Sequence, residues 1–236
     1  MRIHSFLPDE GRYHFELETL SAAFHAHPAI EILLAKKGTI QLETEHASYP
    51  DLRLAIIAPN TPHRVSFAEG QVQLIMLEMG PKVAETRLAA ALGIELSGGI
   101  YGLPHDLSLT PERLIEALSA PPSELEMDAR VRACVAFMNK SSSSYEELLG
   151  NLKAETFLSA SRISHLFKQE MGLSIKKFWV WTRLKRAFHL VVTEQISMYE
   201  AAIKSGFYDQ AHLSKAFRQM LGMPPSDTYN SRTLQD

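Results

Sequence analysis

The sequence predicts an α+β chain: short strands in its first third, helices after them, and at the end an all-α domain of two helix-turn-helix units joined by a long helix. Three observations predict it. From about Arg12 to Met79, short runs rich in Ile, Val and Leu alternate with turn signals. Ile163-Ser164-His165-Leu166-Phe167-Lys168-Gln169-Glu170-Met171-Gly172 reappears as Leu213-Ser214-Lys215-Ala216-Phe217-Arg218-Gln219-Met220-Leu221-Gly222, with Ser, Phe, Gln and Gly identical. Between the copies, Ser174 to Thr193 reads as one helix that carries Lys176, Lys177, Arg183, Lys185 and Arg186 and no acidic residue.

The strand runs are Ala29 to Leu34, Thr39 to Glu45, Leu52 to Ala58, Arg64 to Phe67 and Val72 to Met79. Lys37-Gly38, Tyr49-Pro50-Asp51, Pro59-Asn60-Thr61-Pro62 and Glu69-Gly70 punctuate them, which suggests a small sandwich or barrel. From Pro81 to about Lys140 the period becomes helical. Val83 to Leu92, Pro111 to Leu118 and Ala129 to Met138 each carry apolar residues three and four apart, separated by Ser97-Gly98-Gly99, Pro104 and Pro121-Pro122. The apolar faces of the first two exceed what a small barrel needs, so a homodimer contact through them is expected, the alternative being that they only cover an open barrel edge. Ser141 to Ser144 is a polar break, read as the loop between the first two helices of the last domain in preference to an interdomain hinge.

In the repeat, Ile163, Leu166, Phe167 and Met171 share one helical face, as do Leu213, Ala216, Phe217 and Leu221, and each copy closes at a glycine. The opposite face is polar, of residue types that bond base edges or phosphates. A shorter helix precedes each copy, Tyr145 to Thr156 and Met198 to Lys204, completing two helix-turn-helix units.

Gly206-Phe207-Tyr208-Asp209-Gln210-Ala211-His212-Leu213-Ser214-Lys215-Ala216-Phe217-Arg218, then Gly222-Met223-Pro224-Pro225-Ser226 and Tyr229, resembles the C-terminal signature of the AraC/XylS family of bacterial transcription regulators. Leu158 to Lys168 resembles the first helix-turn-helix of that family, and Arg183-Leu184 with Ala187 its linking helix. The sequence departs from the pattern at Phe157, where a glycine or small residue is usual, and at Ile175, where proline often opens the linking helix. The resemblance implies sequence-specific binding of double-stranded DNA. Ser161, Arg162, Ser164, His165 and Lys168 are its candidate contacts in the first helix, and Gln210, Ala211, His212, Ser214, Lys215 and Arg218 in the second.

In the strand region, His25-Ala26-His27-Pro28-Ala29-Ile30-Glu31 is followed by Ala58-Pro59-Asn60-Thr61-Pro62-His63. This spacing resembles the two motifs of the cupin barrel, although Asn60 stands where glycine is usual. The resemblance implies that His25, His27, Glu31 and His63 could hold a divalent metal. Three imidazoles and a carboxylate suit Zn, Fe, Mn or Ni without choosing among them. In regulators of the resembled family such histidines are commonly structural remnants or ligand contacts. His14, His46 and His105 lack matching partners and are expected at the surface.

The division expected is a cupin-like barrel over 1–80 as effector or sensor unit, a helical segment over 81–126 with the dimer contact, and the double helix-turn-helix domain over 127–236. Charge follows it. The chain's net charge is -3, but residues 141–236 hold 12 Lys and Arg against 9 Asp and Glu, so the basic charge gathers around the repeat. The single cysteine, Cys134, excludes an internal disulfide and reads as packing. No run approaches the ~20 apolar residues of a membrane span, so a cytoplasmic location is the default expectation.

A transcription regulator responding to a small-molecule or metal effector accounts for the repeat, the charge split and the barrel together. The alternative, a metal-dependent cupin enzyme fused to a DNA-binding domain, accounts for the histidines and leaves the repeat without a role. A DNA-architectural protein would need no barrel. The expectation is therefore a regulator and not an enzyme.

Overall fold

A computed structural model describes residues 1–67, 70–104, 110–119, 127–141 and 143–225. Glu69, His105, Pro121, Pro122, Ser142, Ser226 and Tyr229, which figure in the sequence reading, lie outside the described residues. The strands are β1 (Arg2–Leu7), β2 (Arg12–Leu17), β3 (Leu20–His25), β4 (Ala29–Lys37), β5 (Ile40–Glu43), β6 (Ser48–Leu52), β7 (Leu54–Ile57), β8 (His63–Phe67), β9 (Gln71–Glu78) and β10 (Ile100–Leu103). The helices are α1 (Pro81–Leu92), α2 (Pro111–Ser119), α3 (Ala129–Lys140), α4 (Tyr145–Thr156), α5 (Ala160–Met171), α6 (Ile175–Thr193), α7 (Met198–Lys204) and α8 (Gln210–Leu221).

The strands form two antiparallel sheets, β1-β2-β9-β4-β7-β10 and β3-β8-β5-β6. Because side chains alternate along a strand, register decides which face each fills. Leu33 opposite Ala55 and Leu74, and Ala35 opposite Val72, point inward and pack on Ile40, Leu42, Val65 and Phe67 of the smaller sheet. Ile30, Ile32, Ile56 and Ile75 point outward into a second core shared with the helices. The smaller sheet leaves the inner face of β1 and β2 uncovered. There Phe6, Tyr13 and Phe15 meet Trp181 and Phe188 of α6 instead.

Three features differ from the sequence reading. β10, inside the segment expected to be helical, adds to the edge of the larger sheet beside β7. Four residues with a glycine among them are too few for a periodic signal. Strands β1, β2, β3 and β6 also escape a search for Ile, Val and Leu runs, since polar residues break up their few apolar ones and several of these are Phe, Tyr or Ala. The apolar surplus on α1 and α2 is consumed within the chain: Val83, Ala84, Leu88, Leu114 and Leu118 are buried, and neither helix exposes a large apolar side chain. That surplus therefore no longer argues for a dimer contact there.

The helices begin and end as their terminal residues dictate. Ser144 and Ser197 open α4 and α7 as capping boxes with Glu147 and Glu200. Gly172 and Gly222 close α5 and α8 in the left-handed conformation, each donating its N–H to the carbonyl four residues back. Cys134 is buried, and burial pushes its thiol up to about 11, as a packing residue requires.

Candidate DNA interface and histidine cluster

Hydrophobic periodicity orients both recognition helices. Ile163, Leu166, Phe167 and Met171 are buried on α5, as are Leu213, Ala216 and Phe217 on α8, so the rows between them must face solvent. Ser161, Arg162, Ser164, His165 and Lys168 are exposed, and so are Gln210, Ala211, His212, Lys215 and Arg218; Ser214 is half-buried. Ser159 caps α5 by accepting from the Arg162 N–H, and Asp209 caps α8 by accepting from the His212 N–H. The two copies thus present equivalent polar rows. His212 is partly committed, because its ring meets Phe207 edge to face at 5.2 Å.

Helix α6 joins the units, but not as the basic stripe the sequence suggests. Lys185 is buried and lies 2.6 Å from Glu78 of β9. Arg186 donates to the Ser141 carbonyl, and Arg183 sits 5.0 Å over the Trp179 ring. Only Lys176 and Lys177 of its five basic residues are exposed. The spacing could not reveal this, because the neutralising carboxylate lies about a hundred residues away in another element.

The barrel brings all four of its predicted ligands together. His25 ends β3, His63 starts β8 opposite it, His27 lies in the following loop, and Glu31 points inward from β4. All four are buried, and one donor atom from each lies within 4.8 Å of the others. His25 Nδ1 lies 2.8 Å from the Ala23 carbonyl, His27 Nδ1 3.1 Å from that of Ala29, and His63 Nδ1 2.8 Å from that of Thr61. Each of these Nδ1 atoms must donate, which leaves the Nε2 atoms as acceptors in the neutral rings.

His27 Nε2 nevertheless stands 2.8 Å from Glu31 Oε2, and His63 Nε2 stands 3.4 Å from the same oxygen without hydrogen-bond geometry. Acceptors converge on a carboxylate, an arrangement that only a cation or extra protons can satisfy. Backbone carbonyls on the distal ring nitrogens are the usual support of metal-ligating histidines. Burial, with the charges of His63 and His27, lowers His25 to about 3 and keeps it neutral. Burial alone would raise the Glu31 carboxyl, but the bond to His27 and the closeness of the His63 ring overcome this and hold it well below the usual carboxylate range. For His63, burial lowers the pKa and Glu31 raises it, with the balance upward. The donor set therefore fits a divalent cation, which Nε2 of the three histidines and the Glu31 carboxylate would hold. His25 also lines a surface opening whose rim includes Phe24, Glu43 and Glu45, with Glu43 paired to Arg64.

Comparison with known proteins bears on the whole chain. Residues 152–231, which include both recognition helices and α6, match the family described as a helix-turn-helix domain. The arabinose operon regulatory protein of Escherichia coli is 27% identical over 169 residues, 72% of this chain and 53% of that protein. The chain is similar to transcription regulators of the AraC type. It spans about half the length of that arabinose regulator. A probable transcriptional regulator of Photobacterium leiognathi, LumQ, is 24% identical over 90% of this chain and 94% of its own. Among solved structures, a single-substitution variant of apo ToxT from Vibrio cholerae matches 93% of this chain and 97% of its own, with TM-score 0.55 and 13% identity. Wild-type ToxT bound to an unsaturated fatty acid gives TM-score 0.54 at 14% identity over 92% of this chain and 94% of its own. The likeness to ToxT shows a shared fold: a strand-rich N-terminal region followed by helices.

The sequence points to the polar rows and to the four candidate ligands, but not to three residues around them. Asn60 joins the His63 loop to α5, Trp181 stacks on His27 at 5.8 Å, and Glu78 gathers Tyr13, Trp181 and Lys185 on one oxygen. Asn60 had a signal, its place in a position that usually holds glycine. His46 is exposed as expected, whereas His14 is half-buried, stacked on His4 and bonded to Gln73. Among the described residues no helix is long and apolar enough to cross a membrane.

Proposed function

We propose that this chain is a sequence-specific DNA-binding transcription regulator whose barrel senses an effector, acting in the cytoplasm where its DNA lies. The observation that carries the reading is the doubled recognition helix. Two equivalent polar rows, each backed by the same buried apolar face, rest on one linking helix and suit adjacent major grooves of double-stranded DNA. An enzyme fused to such a domain would need a use for neither row. Selection of duplexes from a randomised pool, followed by affinity measurement over a salt series, tests this. Retention of one sequence above random DNA supports it, and equal affinity for all duplexes overturns it.

We assign the effector role first to a divalent cation at His25, His27, Glu31 and His63, because the converging acceptors of that cluster call for positive charge. A cation there would supply the charge that lets four acceptors share one buried space. A second reading rests on a different observation. A cavity of about 370 Å³ lies between the inner face of β2 and α6, lined by Phe6, Tyr13, Phe15, Trp181, Phe188 and Met223. Its size and lining suit a small apolar molecule. The nearby cation, Lys185, already serves Glu78, so a neutral ligand fits better than a carboxylate. Assembly as a two-fold homodimer remains part of the proposal; light scattering at tens of micromolar, with and without DNA, decides it.

A further inference from the structure

Asn60 makes two bonds in opposite directions. Its backbone N–H donates to the His27 carbonyl at 2.8 Å, and its side-chain Nδ2 donates to the Met171 carbonyl at 2.9 Å. Met171 is the last residue of α5, where helix carbonyls have no partner within the helix. The following Gly172 packs so closely that a Cβ there would come 2.8 Å from Asn60 Nδ2 and 3.1 Å from Pro81. At Gly80 a Cβ would meet the Glu170 carbonyl oxygen at 2.2 Å. The end of α5 is therefore seated on the barrel.

The second copy is seated on the barrel at its own closing glycine, with the bonded carbonyl one residue further along than in the first. The Ala23 N–H of β3 donates to the Gly222 carbonyl at 2.8 Å, and a Cβ on Gly222 would meet Ala23 O at 2.3 Å and His25 Nδ1 at 2.7 Å. Both closing glycines are thus required twice over, for the left-handed turn at φ 74 and φ 69 and for close approach to the barrel. The two barrel contacts, Asn60 and Ala23, lie within three residues of His63 and His25.

We propose that the barrel positions both recognition helices, with Asn60 and the backbone of Ala23 as positioning groups that hold the ends of α5 and α8 in one mutual setting. Helix α6 alone links the two units at one side, whereas the barrel grips both helix ends and fixes their rotation as well. The Asn60 side chain is committed to the carbonyl of buried Met171, so its effect on DNA passes through the placement of α5. This rests on the reading that α5 and α8 bind DNA, and it adds that the barrel sets the spacing they accept.

The test uses the full chain and Asn60→Gly, which keeps the left-handed backbone at φ 64 and the bond to His27 and removes only the bond to Met171. Asn60→Asp, which tolerates the same backbone but turns an acceptor towards the Met171 carbonyl, serves if the glycine variant fails to fold. The probes are duplexes selected by the wild-type chain, and derivatives in which the two half-sites are moved apart by single base pairs. The wild type should show a sharp optimum of separation. Asn60→Gly should bind the optimal duplex roughly five- to tenfold more weakly, within the range of ordinary coupling energies, and flatten the profile. A single α8 half-site should bind both chains alike. Identical profiles for folded variant and wild type would overturn the positioning role alone. A wild-type chain that selects no sequence sinks the DNA reading and this inference with it.

Discussion

Lys185 Nζ lies 2.6 Å from Glu78 Oε1, and both side chains are buried at the seam between the barrel and α6. The same oxygen accepts from Tyr13 and Trp181, each at 2.6 Å, and Lys185 also donates to Asn139 and to the Pro8 carbonyl. Burial lowers the Lys185 pKa, and Glu78 opposes that shift. Removing one partner strands the other, so Lys185→Met should cost about 3–5 kcal/mol by denaturant unfolding. Glu78→Gln with Lys185→Met should recover much of this, since Gln still accepts from Tyr13 and Trp181. Additive losses in the double variant would show that the two charges do not act as a pair.

The histidine cluster gives a prediction that separates a cation site from a hydrogen-bonded remnant. In Glu31→Gln the amide can donate to His27 Nε2 and towards His63 Nε2, so the conflict at that oxygen is relieved without metal. The variant should melt no lower than the metal-free wild type, and added Zn²⁺ should raise only the wild-type melting temperature. At a hundredfold excess over the dissociation constant the gain is about 2.7 kcal/mol. A Glu31→Gln chain that is clearly less stable, with no response of the wild type to Zn, Fe, Mn or Ni, would favour the remnant.

For the DNA face, Gln210 suits adenine and Lys215 suits guanine, and both are exposed near the start or middle of α8. Gln210→Ala and Lys215→Ala should each cost roughly 1–3 kcal/mol of discrimination and spare binding to random duplexes. Lys168→Ala should weaken all duplexes alike and lower the slope of affinity against salt by about 1. Equal loss of specific and random binding in the first two would remove α8 as the principal reader.

Features set within one element are legible in the sequence. The buried face of α5 and the closing Gly172 are local, and each follows from spacing alone. The four donors were found through motif resemblance, which placed His63 beside His25 despite the intervening chain. The seam was not legible, because Glu78 reaches Lys185 and Asn60 reaches Met171 only through tertiary packing. Charge on α6 accordingly misled, as a buried lysine and an exposed one look alike in a sequence.

Asp128 caps α3 by accepting from the Arg130 N–H at 2.9 Å and pairs with the Arg130 side chain. Chiefly through that side chain, its carboxyl falls from 3.8 to about 2. A depressed carboxyl contributes stability at pH above its unfolded value and loses it as pH falls through the folded one. Asp128→Asn keeps a cap oxygen but not the charge. It should therefore be less stable than wild type near neutrality, with the difference shrinking between pH 4 and about 2. A difference that stayed constant across that interval in urea unfolding would trace the loss to cap geometry.

Phe157 closes α4 at φ 55 while 93% exposed, in the turn that leads into α5. A left-handed conformation costs an ordinary residue roughly 1–2 kcal/mol, and an exposed ring has little packing to offset it. Glycine removes the strain but adds freedom to the unfolded chain, so Phe157→Gly should gain about 1 kcal/mol or slightly less in denaturant unfolding. Strain of this kind persists where the side chain has a use. The ring stands beside the first recognition helix, where a duplex seated on Ser161 and Arg162 would come near. If Phe157→Gly raises stability and lowers affinity for the selected duplex, the phenyl ring contacts DNA. A gain in stability with affinity unchanged would leave the ring with no part in binding.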